Sequence, residues 1–167
     1  MKAKLIINNQ ELEVEISEEE YKKLQPQSKK TGYERVNEGD TYYYESYRGG
    51  IEYARDERCP WDDEPYKTAN YYSSKEVAEN NARADQLMRQ LRRFAVEHRE
   101  KELDYNKRLG LSFIGYGIDQ GDLIILNVGW AKSLGNIYFD SAETAQLAID
   151  TFHDELIWYF TEYKDSL

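Results

Sequence analysis

The chain has 167 residues, with 32 acidic against 22 basic side chains and a net charge of −10. That length suits one ordinary domain or two small modules sharing a core, and 40% hydrophobic with 32% charged residues is a folded rather than a disordered composition. The acidic balance argues against direct nucleic-acid binding, which needs cations against phosphates. It fits solubility, or attraction to a basic partner surface, including one that normally holds nucleic acid.

The opening "KAKLIINNQELEVEI" reads as a β-hairpin, Lys2–Ile7 and Glu11–Ile16, turning at Asn8-Asn9. Its apolar run is too short for a leader peptide or a membrane span. Ser17 and Glu20 form a capping box for a helix over 18–24 that stops at Pro26. This ββα segment covers residues 1–26, and 27–40 read as a polar connector.

A first module spans residues 41–101. "TYYYESYRGGIEYARDE" is a second hairpin turning at Arg48-Gly49-Gly50, with Tyr42 and Tyr44 on one face and Tyr43 and Tyr47 roughly on the other. "RCPWDDEPYKTAN" reads as a loop because it holds two prolines. Tyr71 and Tyr72 form a short extended piece. Ser73, with Glu76 three residues on, caps a long helix reaching Arg99. Ala84, Leu87, Met88, Leu91, Phe94, Ala95 and His98 make its apolar stripe.

A second module, residues 102–167, repeats this grammar. "LSFIGYGIDQGDLIILNVGW" is a third hairpin turning at 119–122. Ile137–Phe139 are extended, and Asp140 caps the last helix, with Ala145, Ala148, Ile149, Phe152, Leu156, Tyr159 and Phe160 as its stripe. "YYSSKEVA" from Tyr71 and "YFDSAETA" from Tyr138 align at an offset of 67 residues. The expected fold class is therefore α+β: antiparallel hairpins packed against long amphipathic helices, in two related ββ(β)α modules that form one compact unit.

No catalytic constellation stands out. Cys59 is the one cysteine, which excludes an intramolecular disulfide and fits a reducing cytoplasm. His98 and His153 are not spaced to serve it, although Arg55 and Arg58 lie close enough in sequence to favour its thiolate. Asp62, Asp63 and Glu64 could hold a divalent ion, but no known metal-site spacing is present and no metal or cofactor is expected. "GYGIDQG" lacks the lysine of a phosphate loop and sits inside a hairpin. The long helix carries Arg83, Arg89, Arg92, Arg93 and Arg99 interleaved with acids, the pattern of a salt-bridged surface or of an interface to the acidic second module. Residues 111–167 hold nine acidic and two basic side chains.

"KLIINNQELEVEISEEEYKKL", "GDTYYY", "NYYSSKEVAENNARADQLMRQLRRFA" and "NIYFDSAETAQLAI" together resemble uncharacterised accessory proteins of bacteriophages and prophages of Gram-positive bacteria. That group includes inhibitors of host defence such as anti-CRISPR proteins. The resemblance implies a cytoplasmic, non-enzymatic protein that binds a host protein, and a nucleic-acid-handling defence effector is the specific version. The contact residues expected from exposure and charge are Tyr43, Tyr47, Asp56, Glu57, Asp62, Asp63 and Glu64. A metal-dependent nuclease is one alternative. A module that self-associates, as a homodimer through tyrosine-rich edges, is the other.

Overall fold

The computed structural model describes residues 2–7, 10–15, 17, 30–99, 111–119, 121–127 and 135–163. The chain divides into two compact units at Thr31/Gly32. The first contains an antiparallel hairpin of β1 (Lys2–Ile7) and β2 (Gln10–Glu15), registered Lys2 to Glu15 and Leu5 to Leu12. The second strand thus runs one residue earlier than expected. The Asn8-Asn9 turn and the helix over 18–24 lie outside the described residues.

In the second unit, β3 (Thr41–Glu45) pairs with β4 (Ile51–Arg55) and β5 (Ser112–Gly117) with β6 (Asp122–Asn127). Three helices accompany them among the described residues: α1 (Pro60–Lys67), α2 (Lys75–Glu97) and α3 (Ala142–Thr161). The fold is α+β. Each hairpin keeps its own two-stranded sheet, and the modules meet where α2 packs against α3.

The repeated sequence is a repeated structure at the entry to each long helix. Tyr72 bridges Tyr43 of β3, and Phe139 bridges Ser112 of β5, each through two backbone hydrogen bonds of 2.8–3.0 Å. The third strand of each module is therefore a single-residue bridge. Ser74 and Ser141 cap α2 and α3, accepting from the amides of Val77 and Thr144. Both caps fall one residue later than the sequence suggested. Ser73 is diverted because its hydroxyl donates to Glu34 (3.0 Å) and its amide to the Gly32 carbonyl. Asp140 instead accepts from the Thr144 hydroxyl at 2.9 Å. One turn into each helix, Ala78 and Ala145 are fully buried, where only a small side chain fits against the bridge.

The apolar core lies between α2, α3 and the β5–β6 hairpin. Leu87, Leu91, Phe94 and Ala95 of α2 meet Leu123, Phe139 and the Ala145, Ala148, Ile149 and Leu156 stripe of α3. Burying a leucine or phenylalanine side chain contributes about 1.5–3 kcal/mol each. Gly115 is needed here, since a Cβ on it would meet Leu126 Cδ1 at 2.8 Å. That contact accounts for one glycine of "GYGIDQG" by packing. Trp158, absent from the expected stripe, is buried because Arg83 lies 3.8 Å over its ring while bonding Glu155 through two nitrogens. Helix α3 bends at Phe152 (φ −118, ψ 22), next to Thr151, whose hydroxyl donates to the Leu147 carbonyl at 2.7 Å. No described helix is long and apolar enough to cross a membrane.

Candidate functional site

The stretch expected to be a loop is α1, and its prolines explain why it is a helix. Pro60 occupies the first helical position, where its missing N–H is no loss and its φ is already helical. Asp62, two residues on, reaches back to the Cys59 amide at 3.2 Å and, with Asp63, complements the positive helix end. Pro65 costs only the hydrogen bond that would have gone to the Trp61 carbonyl.

Beneath α1 is a polar core rather than an apolar one. Asp56, at 0% exposure, accepts from Arg35 Nε (2.7 Å), Arg35 Nη2 (3.1 Å), the Tyr71 hydroxyl (2.8 Å) and the Arg58 amide (2.9 Å). Every lone-pair direction of its carboxylate is used. Asp62, at 4% exposure, accepts from the Tyr42 hydroxyl and from the amides of Glu57 and Cys59. The Cys59 thiol also donates to it at 3.0 Å. Arg35 links the two ends of the site by reaching Asp63 with Nη1 at 2.7 Å. Tyr42 and Tyr71 stack at 4.2 Å between them, and Tyr66 meets Tyr71 edge-on.

These contacts set the charges. The Arg35 hydrogen bond outweighs burial and, helped by Arg58 and Tyr71, holds the Asp56 carboxyl well below the usual range. Burial pushes Asp62 upward, but the hydrogen bonds from Cys59, Glu57 and Tyr42 together keep it below its ordinary value. Burial first, and the Asp62 carboxylate second, push the Tyr42 phenol far upward. Tyr71 is pushed up to about 12, mainly by burial and then by Asp56. All of these groups hold one fixed protonation state near neutrality, which suits a scaffold and not proton transfer.

Asp56 and Asp62 are therefore corrected from contact residues to interior ones: their carboxylates point inward to Arg35, Tyr71 and Tyr42 and are not available to a partner. Asp63 is half-buried on Arg35. Tyr43 is half-buried at the bridge to Tyr72. Tyr47 lies in the hairpin turn beyond the end of β3, 89% exposed, with Arg48 against its ring. Glu57 and Glu64 are exposed. Asp62, Asp63 and Glu64 diverge, and no group of three metal-ligating side chains converges among the described residues. Cys59 faces the Asp62 carboxylate, so the expected help from Arg55 and Arg58 is not what its thiol meets.

Comparison with protein-family models, curated proteins and solved structures returns no match. The site is thus read from its own geometry.

Sequence reasoning passed over Trp61. It stands 85% exposed on α1, three residues from Glu64 and hence on the same helical face. The available signal was the spacing of "CPWDDE": proline at the first helical position, acids in the first turn, and then alternating inward and outward residues. Arg35 was also missed, because it lies in the segment taken for a connector. Residues 32–40 of that segment pack on the first module instead. Tyr33 exchanges hydrogen bonds with Asn81 of α2, and Gly32 (φ +92) brings its backbone against Val77.

Proposed function

We infer that this chain is a non-enzymatic, phage-type accessory protein whose α1 face docks onto a basic, nucleic-acid-handling surface of a host defence protein. The observation that carries the reading is Trp61, 85% exposed on a helix whose underside is clamped by Asp62 and by the Arg35–Asp63 pair. A large aromatic presented to water from a clamped helix is the form of an interface anchor, because little backbone freedom remains to be lost on binding. Glu57 and Glu64 flank it and stand in for phosphates, with the net charge of −10 steering the encounter. The interior acids contribute by holding the anchor still. The resemblance to accessory proteins supplies the host setting.

The test is tagged capture from a host-type bacterial lysate treated with nuclease, with the Trp61→Ala variant and a Glu57→Lys/Glu64→Lys variant alongside. A stoichiometric band held by the parent chain and lost with either variant supports the reading. The captured protein, once purified, must then lose its grip on nucleic acid as the parent chain is titrated in. A band that vanishes with nuclease, or one indifferent to both variants, refutes it.

A further inference from the structure

Of the arginines on and just beyond α2, three have acidic partners: Arg83 with Glu155, Arg89 with Glu45 and Arg93 with Glu97. Arg92 and Arg99 have none among the described residues, although the chain has ten more acids than bases. Arg92 stands in the last two turns of α2 and Arg99 two residues past its end. With Val96, Asn136 and Tyr138 they line a depression of about 210 Å³. Arg99 Nε lies out of water with no acceptor among the described residues. A buried donor without a partner marks a place where an acceptor belongs.

Next to this depression, and sharing Asn136 and Ile137 in its lining, is an apolar cleft of about 280 Å³. Leu87, Met88, Ile114, Phe139, Tyr159 and Phe160 line it. An apolar cleft with a few convergent polar groups at one end is the usual form of a small-ligand site.

We propose that the seam between α2 and the second module binds an amphiphilic monoanion, a medium-chain carboxylate, with its chain in the apolar cleft and its head between Arg92 and Arg99. The guanidinium fork matches a carboxylate with two parallel hydrogen bonds. Arg99 lies just past the carbonyl end of α2, whose partial negative charge opposes a single carboxylate less than a dianion such as a phosphate monoester. The site shares no residue with the α1 face that carries Trp61 and does not depend on the docking reading.

The experiment uses the full chain and anilinonaphthalene sulfonate, a fluorescent probe with an apolar body and one anionic group. Decanoate, kept below its micelle concentration, should displace the probe, while decanol and inorganic phosphate at the same concentration should not. An Arg92→Ala/Arg99→Ala variant should weaken decanoate by about tenfold or more, the loss expected for charge-assisted hydrogen bonds. Near-UV circular dichroism shows whether that variant keeps its packing. Arg92→Lys/Arg99→Lys, which keeps the charge but not the fork, should fall between it and the parent. No displaceable probe binding overturns the proposal. Displacement by decanol as good as by decanoate overturns the anionic head, and displacement by phosphate alone overturns the apolar half.

Discussion

Asp56→Asn tests the polar core with almost no change of shape. One carboxylate oxygen accepts from Arg35 Nε and the Tyr71 hydroxyl, the other from Arg35 Nη2 and the Arg58 amide. Whichever oxygen becomes an amide nitrogen, one arginine bond and one neutral bond are lost, and two donors face a donor. At about 1.5–3 kcal/mol for a charged bond and 0.5–1.5 for a neutral one, the loss is about 3 kcal/mol. It stays at the low end of the range for broken buried pairs because Arg35 keeps Asp63. For a chain of this size the melting temperature should fall by roughly 6–12 °C. The pH dependence follows from the depressed carboxyl. Its stabilisation is complete above the unfolded value of about 3.9 and is lost as pH falls below it toward the folded value. Melting followed by circular dichroism from pH 7 to pH 3 should therefore show the gap between parent and variant narrowing below about pH 4. A variant melting within 2 °C of the parent at pH 7, or a gap constant down to pH 3, would refute the assignment.

Gly32→Ala should destabilise by about 1–3 kcal/mol in urea titrations, since φ is +92 and the new Cβ would sit 2.6 Å from Val77 Cγ2. Ser74→Ala and Ser141→Ala should each cost about 1 kcal/mol as lost helix caps; equal tolerance of both would contradict the shared helix entry. In alkali, Tyr71 and Tyr72, both pushed up to about 12, should resist ionisation by absorbance at 295 nm. Their stabilisation is present below about pH 10 and disappears as pH climbs through 12, so unfolding should accompany that last titration step. Trp61→Ala should leave the melting temperature within about 1 °C of the parent, because an exposed side chain contributes little to the fold.

Local signals were legible, and long-range ones were not. The three hairpins, both long helices and the repeat could be read from alternation, turn residues and caps, because each is decided within a few residues. The cap register slipped by one in both copies since Ser73 and Asp140 are as competent as their neighbours. Only Gly32 and Glu34, 41 and 39 positions from Ser73, decide its role. Helix α1 was hidden because it carries proline inside as well as at its start, and an interior proline ordinarily argues against a helix. The burial of Asp56 was hidden because its partner Arg35 lies 21 residues away, so a charged residue in a turn-rich stretch read as surface. Of the site, Tyr47, Glu57 and Glu64 were placed correctly outside, while the exposed anchor Trp61 went unnoticed in a supposed loop.

The two modules share a helix entry and, between α2 and α3, one apolar interior, while a second interior lies under α1. One is filled by leucine, phenylalanine and alanine, the other by aspartate, arginine and stacked tyrosine. Hydrophobic burial is indifferent to protons, whereas the aspartate core dissolves when its carboxylates are protonated. Acid should therefore divide the molecule. As pH falls below about 4, amide hydrogen exchange should find the β3–β4 amides losing protection before those of α3, a loosening in which Trp61 loses its footing first and the apolar half stays closed.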